Sequence, residues 1–202
     1  MNQSVYLIRH AESAMNVQPH LIGGRSNEAE LTTEGVLQAK RLGHYLLENH
    51  IEPTLLYCSP ARRTVDTAGN ALRIMGIAPN IVLDDRLQEL DQGTYVGRDR
   101  TTVYTPSVLA RIDDEGKGFK LPEGESMNEV GERMKEWLES IPDTSDVTLV
   151  FTHGVAIRCL VSTLENWSHA HTYKSHIPNV SITRIHKSDG EWHLDFLGKE
   201  PT

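Results

Sequence analysis

The sequence predicts a three-layer α/β/α sandwich with a mostly parallel sheet and an antiparallel edge strand. Three observations predict it. Short apolar runs rich in β-formers alternate with stretches of helical periodicity. Several of these runs stop abruptly on arginine or histidine. The last two runs alternate around Ser188-Asp189-Gly190, as the arms of a hairpin do.

Ser4 to Arg9 reads as a buried strand that ends on Arg9 and His10. After Thr32, residues Val36, Ala39, Leu42, Leu46 and Leu47 recur at helical spacing with Lys40, Arg41, Glu48 and Asn49 opposite, which predicts a surface helix packed on the sheet. Thr54 to Cys58 is a second strand. The helix after it has Val65, Ala68, Leu72 and Met75 as its apolar face and Pro60 in its first turn. Ile81 to Leu83 is a third, short strand. The stretch 97–124 is polar and irregular, with loop at 117–122 and a short helix at 107–112, and suits a lid-like insert over a site. Ser126 and Glu129 form a capping-box pattern ahead of Val130, Met134, Trp137, Leu138 and Ile141. Asp146 to Phe151 is the fourth strand, and an apolar helix follows His153 and Gly154 to about Leu164. Val180 to His186 and Trp192 to Leu197 form the edge hairpin. No repeat or linker divides the chain, so residues 1–202 are expected as one domain, on a usual ~100 to 200 residues per domain.

Twenty Lys and Arg against 28 Asp and Glu leave a net charge of −8, which argues against nucleic acid or an anionic membrane as a partner. Ten histidines stand out, since protonating them all would carry the net charge to +2. Cys58 and Cys159 are too few for a disulfide framework and read as reduced core thiols. No export signal or membrane span is apparent, so a cytoplasmic setting is expected. Asn2, Asn166 and Asn179 each open an N-x-Ser sequence, which in that setting has no glycosylation meaning.

In open α/β sheets, ligands sit beyond the carboxyl ends of the strands. Here those ends carry Arg9 and His10, then Arg62 and Arg63, then His153. Guanidinium forks match phosphate oxygens and a neutral imidazole can attack phosphorus, so the expected partner is a small phosphorylated substrate.

Arg9-His10-Ala11-Glu12-Ser13 with Asn16 resembles the signature of the histidine phosphatase superfamily, which contains phosphoglycerate mutases and related phosphatases. The resemblance continues in order through Leu31-Thr32, Gly35 and Gln38-Ala39, then Ser59-Pro60, Arg63 and Thr67-Ala68. Leu87 and Glu89 with Gly93 and Gly97, Gly124-Glu125-Ser126, His153-Gly154, and Asn179 with Ser181 complete it over nearly the whole chain. It implies the phosphoglycerate mutase-like fold and a phosphohistidine formed on His10. By the same resemblance Arg9, Arg63 and His153 clamp the phosphoryl oxygens with help from Asn16, and Glu89 is the general acid and base. Ser13, Gly23 and Gly154 join the substrate-binding positions, with Arg25 a looser match. No cofactor or metal is implied, and monomer and homodimer stay open. One departure stands at the pocket rim: Tyr95-Val96-Gly97 occupies the place of the family's frequent aromatic-Glu-Gly.

Two activities follow from the resemblance. Mutases of the family carry extra sequence between the catalytic carboxylate and the Gly-Glu-Ser helix start. Here that stretch is short, which favours hydrolysis of a phosphate monoester over a mutase reaction. A non-catalytic phospholigand-binding module is the rival of another class; such proteins usually lack the nucleophile or a clamp residue, and all are present here.

Other readings of single residues are weaker. Cys58 to Arg63 falls one residue short of a cysteine-phosphatase loop. His169, His171 and His176 have a zinc-like spacing, but their polar surroundings favour a solvated loop. Arg62 reads as a surface charge, and Glu89, near Asp84, Asp85 and Asp91, is by itself equally compatible with a solvated acidic face. Within the insert, Arg98, Arg100, Arg111, Lys117 and Lys120 would suit a second anionic group of the substrate.

Overall fold

Period-two alternation sets the layers. The structure is a computed structural model that describes residues 3–78, 80–143 and 146–202; Asn2 of the first N-x-Ser lies outside them. In β1 (Gln3–Arg9), Val5 and Leu7 face one layer of helices while Ile8 faces the other. In β4 (Val147–Thr152), Val150 goes with the first set, and Leu149 and Phe151 with the second.

With β2 (Leu55–Cys58), β3 (Val82–Leu83), β5 (Ile182–Ser188) and β6 (Glu191–Lys199), these strands form one sheet in the order β3-β2-β4-β1-β5-β6. The pairs β3–β2, β2–β4 and β4–β1 are parallel, whereas β1–β5 and β5–β6 are antiparallel. This is the mixed sheet expected, with the hairpin forming the antiparallel edge.

Helices α1 (Thr33–Glu48) and α2 (Arg62–Met75) cover one face, burying Ala39, Leu42, Leu46, Ala68, Ala71 and Leu72 against Leu56, Leu149 and Phe151. Thr32 caps α1, its hydroxyl accepting from the Gly35 N–H at 2.9 Å. Gly35 is required there: a Cβ would stand 2.0 Å from the Glu12 carbonyl oxygen. In the insert lie α3 (Arg100–Val103) and α4 (Pro106–Glu115). The other face carries α5 (Met127–Glu139) and α6 (Gly154–Leu164), followed by α7 (His169–Lys174). The Ser126–Glu129 capping box is present in full, and Trp137 and Met134 are wholly buried.

Three details depart from the sequence expectations. Pro60 precedes the Ala61 N-cap of α2 instead of lying in its first turn. Val65 is 37% exposed, while Arg63, Thr64 and Thr67 are buried, because the first turns of α2 face the strand ends. Residues 97–124 are more ordered than their polarity suggests: α4 starts at a Thr105 cap with Pro106 behind it and stops at Gly116. Ile22, Val103 and Leu121 form a small core of their own there, joined by Tyr95, Tyr104, Val108 and Phe119. No helix of the described residues is long and apolar enough to cross a membrane.

Candidate active site

Parallel register brings three strand ends together. Arg9 in β1 lies beside Thr152 in β4, and the His10 N–H continues the ladder to the Thr152 carbonyl at 2.9 Å. Cys58 in β2 lies beside Phe151, and Ser59 N–H bonds the Phe151 carbonyl at 2.9 Å. His10, Ser59 and His153 thus leave three neighbouring strands at the same level. The His10 and His153 rings meet edge-on with centroids 5.2 Å apart.

Each group is fixed by hydrogen bonds. His10 Nδ1 lies 2.7 Å from the Ala11 carbonyl and therefore carries the proton, leaving Nε2 to accept from Arg63 Nε–H at 3.1 Å. The Ala11 N–H in turn donates to Thr67 Oγ1 at 3.0 Å, so α2 holds the residue that orients the imidazole. Arg63 also donates through Nη1 to the Ser26 carbonyl (2.6 Å) and through Nη2 to the Gly24 carbonyl (3.3 Å) and His153 Nδ1 (3.1 Å). That assigns the His153 proton to Nε2, which donates to Ser59 Oγ at 2.8 Å.

Burial, reinforced by the Arg63 and Arg9 charges, pulls His10 well below the ordinary histidine range despite the Ala11 hydrogen bond. Burial does the same to His153, with Arg63, His10, Arg133 and Arg9 adding to it. Both imidazoles are neutral at pH 7. Burial also lowers Arg9 and Arg63, with Glu89 opposing it, yet a guanidinium stays charged.

Glu89 enters from the segment after the short 3-10 turn at Asp85–Leu87, which Thr152 Oγ1 anchors through the Leu87 carbonyl at 2.7 Å. His153, the N-cap of α6, gives no side-chain cap. Glu89 supplies it: its carboxylate accepts from the Leu90 (3.0 Å), Val155 (3.2 Å) and Ala156 (3.1 Å) N–H groups. Behind it, the Glu89 carbonyl accepts from Arg25 Nε (3.2 Å) and Arg133 Nη2 (3.1 Å). Burial opposes ionisation of Glu125 there, but the Arg133 hydrogen bond and charge, the Asp91 N–H and Arg25 outweigh it and hold its carboxyl below the usual range.

These side chains border a cleft of about 320 Å³ that is partly open to solvent. Arg9, His10, Ser13, Asn16, Gly23, Arg63 and Glu89 line it, as the sequence leads one to expect. Asn16 Oδ1 accepts from the N–H and hydroxyl of Ser13, both at 3.0 Å, which stiffens this turn. Three expected residues do not line the cleft. His153 is 0% exposed and stands behind Arg63. Gly154 borders a neighbouring smaller cavity, where a Cβ would crowd the Arg9 side chain at 3.3 Å. Arg25, expected to bind substrate, is drawn away by two carboxylates, with contacts of 2.9 Å to Glu125 and 3.6 Å to Asp91.

Of the insert cations, Arg100 lines the cleft. Arg111 pairs with Glu115 and Lys120 with Glu129, Arg98 stacks on Tyr95, and Lys117 donates to the Trp167 carbonyl. Arg62 pairs with Glu30 on the surface. Cys58 is fully buried with its thiol pushed up to about 12 by burial, an inert group rather than a nucleophile. His171 stacks on Trp167 at 4.1 Å and His169 lies against Tyr173; among the described residues no group of three metal-type ligands comes together.

Ser59, Thr67 and Asn179 entered the sequence reading only as parts of a pattern, but here they carry the supporting bonds. Asn179 Nδ2 donates to the His10 carbonyl at 2.8 Å. No local signal reports such contacts, because their partners lie 56 to 169 positions away.

Comparison with known proteins gives the family and the fold. The chain is 32% identical over 194 residues to the probable phosphoglycerate mutase GpmB of Proteus mirabilis, covering 93% of this chain and 86% of that one. It is 29% identical over 199 residues to the putative phosphoserine phosphatase 2 of Hydrogenobacter thermophilus, covering 96% and 95%. Among solved structures, Bacillus stearothermophilus YhfR superposes with a TM-score of 0.84 at 27% identity, covering 98% of this chain and 97% of that one. The family model described as the histidine phosphatase superfamily, branch 1, matches residues 5–200, and the chain belongs to that family.

Proposed function

We propose that the protein hydrolyses a phosphate monoester of a small metabolite through a covalent phosphohistidine on His10. The observation that carries this reading is the state of His10: a neutral imidazole, its Nδ1 proton held by a backbone carbonyl and its Nε2 lone pair turned to Arg63. Attack by Nε2 forms the N–P bond as the P–O bond to the leaving group breaks. Arg9 and Arg63 stabilise the charge spread over the equatorial oxygens. His153 fixes the Arg63 fork from behind, and it reaches the phosphoryl group only if substrate shifts that fork. Glu89 gives a proton to the leaving oxygen as the P–O bond breaks. It then takes one from the water that cleaves the N–P bond. Ser13, Asn16 and Gly23 shape the floor around the ester; Arg25 acts only by holding the Glu89 backbone.

The GpmB relatives bring a mutase reading, in which the phosphohistidine passes its phosphoryl group to a second hydroxyl. The short stretch between Glu89 and Ser126 and the open cleft favour water as the acceptor. Rapid-quench mixing with a labelled monoester decides both points. Acid-labile label is expected on the wild-type chain and not on His10→Ala, decaying to inorganic phosphate at an unchanged rate when phosphoglycerate is added. No trapped label would end the covalent mechanism. Label appearing in phosphoglycerate faster than in phosphate would make the protein a mutase.

A further inference from the structure

In Gly124-Glu125-Ser126, Ser126 caps α5, and the carboxylate of the neighbouring Glu125 is turned to another task. Its Oε1 accepts from Arg133 Nε at 2.9 Å and meets Arg25 Nη2 at 2.9 Å, while Oε2 accepts from Arg133 Nη2 and the Asp91 N–H, both at 3.0 Å. An ionised carboxylate has about four acceptor sites, so its capacity is filled. Each of these donors belongs to the segment that carries Glu89 or holds it. Arg133 spans that segment, donating through Nη1 to the Arg86 carbonyl at 2.6 Å and through Nη2 to the Glu89 carbonyl at 3.1 Å, where Arg25 Nε joins it at 3.2 Å. The Glu125 N–H returns a bond to the Asp91 carbonyl at 2.9 Å. Between the 3-10 turns at Asp85–Leu87 and Gly93–Tyr95 the chain forms no helix or strand, so its backbone groups are satisfied from outside, and α5 with Glu125 satisfies them. The fit is close: a Cβ on Gly93 would lie 2.0 Å from the Pro122 carbonyl oxygen. Neither Glu125 nor Arg133 lines the cleft.

We propose that Glu125 is a positioning residue: through Arg133, Arg25 and the Asp91 N–H it fixes the main chain at Glu89, and with it the reach of the Glu89 carboxyl to the leaving oxygen. This rests on the reading of Glu89 as the general acid. Displacing a catalytic group by about 1 Å can cost ~10²-fold, so a main-chain anchor of this kind acts on the rate without touching substrate. Arg63 is anchored separately. The loop whose Gly24 and Ser26 carbonyls hold it is tied down by Asn27, whose carbonyl accepts from the Arg62 N–H and whose Nδ2 donates to Gln88 Oε1, both at 2.8 Å. Loss of Glu125 should therefore misplace the acid and spare the phosphoryl clamp.

Rapid-quench measurement of label arriving on His10 isolates the step in which the acid acts. Glu125→Gln sets an amide NH₂ against the Arg133 and Arg25 donors. In this variant, arrival from an alkyl monoester is expected to slow by about 10- to 100-fold, with an unchanged half-saturating concentration, and arrival from an aryl phosphate with a good leaving group by less than about threefold. The aryl rate also reports that the variant is folded. Arg133→Lys keeps the charge but gives up the fork, and the same split is expected; it decides by the same criteria where Glu125→Gln does not fold. Adding Glu125→Gln to Glu89→Gln should cost nothing further on the alkyl ester, because two changes that act through one group do not add. Equal slowing of both esters, no slowing, or full additivity in the double variant overturns the positioning role, and a split in Glu89→Gln alone then leaves Glu89 standing as the acid. If Glu89→Gln shows no split, or no label reaches His10 in the wild-type chain, the reading beneath the proposal falls and the proposal falls with it.

Discussion

The floor of the cleft and its rim are built on opposite plans. On the floor, His10 and Arg63 are 3% and 4% exposed, His153 behind them is 0% exposed, and each is held by residues of another strand or helix. Around the rim, Arg100 is exposed, and further out on the insert the Arg111 and Lys120 side chains are 56% and 52% exposed and pair with acids of nearby surface. Floor groups are oriented before any substrate arrives, so they stabilise a transition state without reorganising. Rim charges lose most of their field to water and to their partners. On the proposed hydrolysis, transfer chemistry would rest on the floor, while the choice of substrate would fall to side chains such as Arg100.

Arg63→Gln tests the floor most severely. The substitution removes the fork shared by His10, His153, Ser26 and Gly24, and one such donor is typically worth ~3 to 4 kcal/mol of transition-state stabilisation. A fall in kcat/KM of about 10³-fold on an aryl phosphate is expected. A loss under tenfold would mean that the floor is no more organised than the rim.

Glu89→Gln should split by leaving group. Alkyl phosphates need the proton and should slow by about 10² to 10⁴-fold, while an aryl phosphate with a good leaving group should slow far less. Equal losses would remove Glu89 as the acid. The same change weakens the cap of α6, so thermal stability should drop by about 1 kcal/mol.

What the sequence disclosed follows the same division. Strand ends were legible because apolar runs stop on Arg9, His10 and His153, and caps were legible because Thr32, Ser126 and Glu129 act within one turn. Helix α4 was read at 107–112, and Thr105-Pro106 and Gly116 mark its full extent, 106–115, just as locally. Arg25 was misplaced for another reason. Its partners Asp91 and Glu125 lie 66 and 100 positions away, and only folding decides which carboxylates an arginine meets. Thr67 and Arg133 are of the same kind: they act through Ala11 and the Glu89 carbonyl, and no periodicity reports that.

Burial of two neutral histidines also predicts how stability varies with pH. The folded-state pKa of His10 and of His153 lies below the unfolded value of ~6.5, so below that pH the unfolded chain binds protons that the folded chain refuses. Their contribution is complete above about pH 6.5 and falls by up to ~1.4 kcal/mol per unit for each residue as the pH drops. Between pH 7.5 and 5.5, measured in phosphate-free buffer, about 3 kcal/mol should be lost to these two groups. His153→Gln should roughly halve that slope. An unchanged slope would show that His153 takes up its proton in the folded state.

The smallest expected effect belongs to the rim. Arg100 is exposed, its Nε is tied to the Leu21 carbonyl at 3.1 Å, and its guanidinium lies 5.9 Å from the Tyr104 ring centre. An exposed charge pair is worth ~0.2 to 1 kcal/mol, so Arg100→Gln should lower kcat/KM by no more than about fivefold. The loss should be confined to monoesters with a second anionic group and fade as salt rises. A loss of a hundredfold that survives salt would mean that the rim is preorganised like the floor. No loss, on a substrate with two anionic groups, would mean that Arg100 takes no part in recognising the second group.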